Sequence, residues 1–187
     1  MTLFEYLAIA FSLVYSLAAL RLLGGLPSAL DPRRRSLLHL LLSLTILYVV
    51  TISFWVFWSL RDVAWTFGGF LIALTIPGTL YYCAAVLIPE NPEDVASWDT
   101  HYFAVHRRCY GGLALWAAAA ALSAGVNLGM DIAHPARLVQ GTALTIGVVG
   151  ASATTRRVHV VLVVLLALLT VVSMGMQFRP DWLAVPG

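Results

Sequence analysis

The chain has 187 residues, of which 60% are hydrophobic and only 11% charged, with a mean hydropathy of +0.88. So few polar groups cannot clothe a soluble globule of this size. Eleven basic residues, all Arg, stand against nine acids and leave no basic surface suited to nucleic acid, so composition predicts an all-α integral membrane protein.

In chain order, residues 2–23 form a first apolar span, since about 20 residues cross the hydrocarbon core. Glu5 stands where a cleaved leader would carry positive charge, so this span is expected to be retained. Gly24, Gly25, Pro27, Asp31 and Pro32 read as a loop running into Arg33, Arg34 and Arg35. A second span over 36–60 is closed by Arg61 and Asp62. A third over 65–88 contains Pro77, where the missing amide donor predicts a kink.

Asn91 to Tyr110 is the long polar interval of the chain. Asn91 can cap a helix with Pro92 in its first position and Glu93 and Asp94 in its first turn, where the dipole favours acids. Val95, Trp98, Tyr102, Val105 and Cys109 then recur at spacings of three and four, with Ser97, His101 and Arg108 on the opposite face. That pattern predicts a cytoplasmic amphipathic interfacial helix over about 92–109. Spans at 111–130, 135–152 and 158–177 complete a single transmembrane domain, 1–187, with six spans.

In that arrangement Arg21, Arg33, Arg34, Arg35, Arg107, Arg108, Arg156 and Arg157 fall on one side. Arg61, Arg137 and Arg179 fall on the other. Positive charge collects in the cytoplasm, so both termini are expected outside it. Phe54, Trp55, Phe57, Trp58, Trp65 and Trp182 would mark the outer interface, and Tyr81, Tyr82, Trp98, Tyr102 and Tyr110 the inner one.

Polar side chains within spans are costly and tend to be placed for a reason. Glu5, Thr51, Asn127, Gln140, Ser173 and Gln177 gather toward the outer half and, with Ser12 and Tyr48, are candidates for a polar pathway above a wholly apolar inner stretch at 160–169. The alternative is that these groups bond between helices. His39, His101, His106 and His159 all fall on the cytoplasmic side. His39 and His159, at comparable depth on the second and sixth spans, could ligate one haem from opposite sides, though histidines beside Arg clusters need no such explanation. His101 and His106 lie about 140° apart on a helix and cannot aim at one metal, so neither a metal nor a cofactor is expected. Cys83 and Cys109 read as reduced thiols. Arg33, Arg34, Arg35, Trp98, His101, His106, Arg107, Arg108, Arg156 and Arg157 form a belt suited to anionic headgroups or a partner protein.

Leu87-Ile88-Pro89-Glu90, followed by Asp99, His101-Tyr102-Phe103 and Arg107-Arg108, resembles a group of small uncharacterised bacterial multipass inner-membrane proteins. The corner Trp55, Trp58, Arg61, Asp62, Trp65 and Phe67 extends the likeness to roughly the middle third of the chain. The resemblance implies a bacterial inner-membrane setting and carries no activity. Two functions are therefore expected to compete, the first ahead of the second. One is a small homo-oligomeric channel or transporter for ions or small solutes. The other is a non-transporting subunit that docks a partner or anionic lipid through residues 91–110 and the Arg belt, and enzymatic activity ranks behind both.

Overall fold

The computed structural model describes residues 3–177. The protein is all-α over these residues, with six helices: α1 (Leu3–Ala29), α2 (Leu37–Phe57), α3 (Phe67–Leu87), α4 (Trp98–Leu128), α5 (Ala136–Ser152) and α6 (Arg156–Gln177). Five of them, all but α5, are long and apolar enough to cross a membrane. At 17 residues α5 is about 26 Å long, slightly short of a hydrocarbon core of about 30 Å.

Helix starts are set by local chemistry. Ser36, Thr66 and Ser97 sit in extended conformation and accept from the amides of His39, Gly69 and Thr100, capping α2, α3 and α4. The α4 C-terminus closes on Gly129, whose φ of 61° is left-handed, while the Met130 amide returns to the Ala124 carbonyl.

Two expectations change here. The interfacial helix over 92–109 is not a separate element: Pro92–Asp94 is one 3-10 turn, and Ser97 starts a single helix of 31 residues that runs through Gly111 and Gly112. Its apolar face does not lie on lipid, for Trp98, Tyr102 and Cys109 are fully buried against other helices. The first loop also begins later than expected, because α1 continues through Gly24, Gly25 and Pro27 to Ala29. Tertiary contacts hold that last turn. A Cβ on Gly25 would come within 2.5 Å of Ile88, Ser28 Oγ donates to the Pro92 carbonyl at 2.8 Å, and the Ser28 carbonyl accepts from the Trp98 indole at 3.0 Å. Helix α3 passes through Pro77 unbroken, and Arg179 and Trp182 lie outside the described residues.

Neighbours around the bundle follow the order α1, α2, α6, α5, α4, α3 and back to α1, and α2 also meets α3 and α4 across the interior. Close approach depends on missing side chains. A Cβ on Gly147 would lie 2.7 Å from the Ala114 amide nitrogen, and one on Gly112 would lie 2.6 Å from Cys83 Sγ. The interior changes character along its length. At the end carrying the 88–97 connection it is filled by Trp98, Tyr102, Tyr110, His39 and His159, all fully buried. Toward the other end α4 supplies Ala117, Ala120 and Ala124, which fill far less space.

Candidate functional site

The filled end holds the densest polar chemistry of the described residues, and it is built on helix C-termini. The last carbonyls of a helix lack intrahelical donors, and burying them unsatisfied is costly. Here two of them are met by histidine pairs. The Leu87 carbonyl, closing α3, accepts from His39 Nε2 at 3.1 Å and from His101 Nε2 at 3.0 Å. The Ala153 carbonyl, just past α5, accepts from His106 Nε2 at 3.1 Å and from His159 Nε2 at 3.2 Å.

Each pair is extended by neighbours. His39 stacks on Trp98 with ring centres 4.3 Å apart, and its Nδ1 is buried without a partner. His159 Nδ1 accepts from the Tyr102 hydroxyl at 3.0 Å, and Tyr102 meets the Tyr110 hydroxyl at 3.3 Å. Tyr110 donating to Tyr102, Tyr102 to His159 and His159 to Ala153 is a chain in which every buried proton has an acceptor. His106 Nδ1 faces the Phe103 carbonyl at 2.8 Å, so with one ring proton it donates to one carbonyl and with two to both.

His39 and His159 are each engaged on a different carbonyl, and both ring nitrogens of His159 are occupied. The arrangement corrects two sequence readings. His101 does not face away from the bundle but reaches the Leu87 carbonyl. Trp98, Tyr102 and Tyr110 are core residues and not an interfacial belt, whereas Tyr81 and Tyr82 are exposed. Among the described residues no three His, Cys, Asp or Glu side chains are grouped to hold a metal ion. Cys83 and Cys109 are buried free thiols, with Cys83 Sγ 3.4 Å from the Cys109 carbonyl.

A Tyr102→Phe substitution would strand His159 Nδ1 and leave the Tyr110 hydroxyl with no acceptor. We expect it to cost about 1–3 kcal/mol, read as a lowered unfolding midpoint. Tyr110→Phe, which removes only the outermost donor of the chain, is expected to cost less.

The arginines divide by what they hold. Arg34 donates to the Glu93 and Val95 carbonyls at 2.6 and 3.2 Å and pairs with the Glu93 carboxylate at 2.6 Å, tying the 30–36 loop to the 3-10 turn. Arg21 donates to the Ile88 carbonyl at 2.8 Å. Asp99 accepts from Arg156 at 2.6 Å and from Ser36 at 3.0 Å, joining the starts of α2, α4 and α6. Arg33, Arg35, Arg107, Arg108 and Arg157 are exposed, and their guanidinium groups pair with nothing among the described residues.

Arg107 and Arg108 edge a groove of about 500 Å³ between α3 and α4, floored by Gly78, Gly111 and Gly112 and flanked by Thr79, Tyr82 and Leu115. A Cβ on Gly78 or Gly111 would meet nothing within 4 Å, so these glycines keep the groove open. The end of α5 lies beside His106, whose Nε2 reaches the Ala153 carbonyl, so Arg107 and Arg108 stand near that helix end.

Of the residues expected along a polar pathway, Gln140 and Ser173 line one cavity between the helices. Ser12 and Thr51 bond back to carbonyls of their own helices, Ile9 at 2.8 Å and Leu47 at 3.0 Å. Asn127 ties α4 to α3 through the Gly69 carbonyl at 3.2 Å, and Gln140 is held by Arg137 at 3.1 Å. Ser173 bonds within α6, Tyr48 is half-buried on α2, and Glu5 is exposed near the start of α1. The side chain of Gln177 lies outside the described residues. The sequence reading did not find the Leu87 and Ala153 carbonyls or the bridging role of Asp99, because a backbone acceptor leaves no mark in a sequence. Comparison of the chain with protein-family models, with curated proteins and with solved structures gives no match.

Proposed function

We propose that this protein is a six-span, non-transporting subunit of a bacterial inner membrane that binds anionic phospholipid at its cytoplasmic end, with both termini outside the cytoplasm. What supports the reading is the α3–α4 groove. Two arginines without acidic partners stand at the membrane-interface end of a channel of small residues that leads toward the apolar part of the helices. A lipid phosphate answers the guanidinium pair and an acyl chain answers the glycine floor. Arg33, Arg35 and Arg157 add positive charge at the same end, where a second protein with an acidic face would also dock. A channel or transporter is less well supported, since Ser12, Thr51, Asn127 and Gln140, expected to line a path in one copy, are spent on their own or neighbouring helices.

The test is lipid binding by purified protein in detergent, counted by native mass spectrometry with phosphatidylglycerol or phosphatidylcholine. At about 1 kcal/mol per basic residue near an anionic surface, Arg107→Gln with Arg108→Gln should weaken phosphatidylglycerol binding about 25-fold and leave phosphatidylcholine unchanged. Equal binding of the two lipids by the parent protein would reject the site. Selective ion flux in liposomes holding the same protein would replace this reading with a channel.

A further inference from the structure

The Ala153 carbonyl is met by two histidines whose rings call for different numbers of protons. His159 is complete with one: its Nε2–H donates to Ala153, and its Nδ1 accepts from the Tyr102 hydroxyl at 3.0 Å. A second proton there would turn Tyr102 round and leave the Tyr110 hydroxyl without its acceptor. His106 differs, for both of its ring nitrogens face carbonyl oxygens, Phe103 at 2.8 Å and Ala153 at 3.1 Å. A carbonyl oxygen only accepts, so either neutral tautomer would set a bare nitrogen lone pair against an oxygen. His106 is 8% exposed, so little water reaches either contact. At the other pair one proton suffices, since His39 Nε2 donates to Leu87 and its Nδ1 faces no partner at all.

The surroundings suit a cation on His106 and on that ring alone. It stands off the end of α5, where the last carbonyls make the helix dipole negative. From α6 the group facing it is His159, with ring centres 4.7 Å apart, and two charged rings at that separation would repel. Arg156 on the same helix is turned to Asp99. Helix α5 brings only backbone, its one ionisable side chain, Arg137, lying in its first turn at the opposite end. On α4 itself Arg107 is exposed, and Tyr102 and Tyr110 connect to the pair through His159. No carboxylate among the described residues pairs with His106, so the two carbonyls are what hold its charge.

We propose that His106 carries a proton on both ring nitrogens and serves as a proton-operated latch, holding the end of α5 and the start of α6 to α4. When the second proton leaves, the ring keeps one donor and must give up one carbonyl. The Phe103 contact is shorter and lies within α4, whereas Ala153 retains the donor from His159. The neutral ring therefore stays with Phe103 and releases Ala153, so the junction is tight at low pH and loosens as pH rises through the range where histidine gives up its second proton. The latch does not depend on lipid binding in the α3–α4 groove.

The test uses full-length protein with 15N-labelled histidine in lipid nanodiscs, followed by NMR over the pH range in which it stays folded. At the acid end one histidine should show a bonded proton on both ring nitrogens, and that signal should be absent from His106→Gln. Hydrogen exchange on the same samples reads the junction through the Ala153 and His159 amides, which donate to Val149 and Thr155. Corrected for the intrinsic pH dependence of exchange, their protection in the parent should fall about tenfold as the second proton leaves, the worth of one charge-assisted hydrogen bond. In His106→Gln, which keeps a side-chain donor and cannot titrate, protection should stay level over the same range. A single ring proton on His106 at every pH overturns the charge. Protection that is level in the parent, or that falls equally in His106→Gln, overturns the latch. Should His106→Gln fail to fold, the parent's exchange still decides the latch, and loss of the doubly protonated signal in His101→Gln would overturn its assignment to His106.

Discussion

A Trp98→Ala protein is expected to unfold with about 3–5 kcal/mol less free energy than the parent, the range for truncating a fully buried large aromatic side chain. The size of the effect follows from how many elements meet at this residue. Trp98 is 0% exposed. Its indole donates to the Ser28 carbonyl in the last turn of α1 at 3.0 Å, its backbone amide donates to the Arg34 carbonyl at 3.0 Å, and its ring stacks on His39 of α2. Alanine keeps the backbone bond and loses the other two. The Ser28 carbonyl then has no indole donor in its buried place, and His39 loses one wall of its pocket. Trp98→Phe should fall between, because it retains a ring against His39 and lacks only the N–H and some volume. The check is an unfolding titration in mixed micelles on the three proteins. A Trp98→Ala midpoint within error of the parent would mean that the Trp98 side chain is not packed against Ser28 of α1 and His39 of α2 as described.

The same residue shows what could be read from the sequence. The three-and-four spacing of Trp98, Tyr102, Val105 and Cys109 correctly gives one apolar helical face, but periodicity gives a face and not what covers it. In a chain this hydrophobic, a stripe of aromatic residues beside an Arg pair reads as an interfacial helix, and only the packed bundle shows it turned inward. The helix start was mistaken for a related reason. Asn91-Pro92-Glu93-Asp94 carries good start signals that are spent on one 3-10 turn, while Ser97 makes the cap that propagates. The division between an interfacial helix ending near 109 and a span starting at 111 is absent from the structure, where Gly112 sits mid-helix with Cys83 against it. At the site, the sequence places four histidines near one end by counting spans. It cannot pair them, since what sorts them into two couples is a pair of backbone carbonyls, at Leu87 and Ala153, that any residue type would supply.

Glycines give the second large effect, and with opposite signs on one helix. Gly147→Ala is expected to destabilise the protein by about 1–3 kcal/mol, whereas Gly141→Ala, nearly two turns earlier on α5, should stabilise it by up to about 1 kcal/mol. Intrinsic preference favours alanine at both positions, so the difference lies entirely in what the new methyl would touch. At Gly141 nothing lies within 4 Å. At Gly147 the methyl would stand 2.7 Å from the amide nitrogen and 2.8 Å from the Cα of Ala114. Those are backbone atoms in the middle of α4, which cannot turn aside as a side-chain tip could, so α5 must shift as a body. That shift would carry Ala153 away from His106 and His159, whose hydrogen bonds both end on its carbonyl. Gly147→Ala should therefore also lower protection from exchange at the start of α6, a readout that Gly141→Ala leaves alone. Equal midpoints for the two variants would contradict the α4–α5 contact, and a lowered midpoint with unchanged exchange at α6 would show that the histidine pair does not depend on where α5 ends.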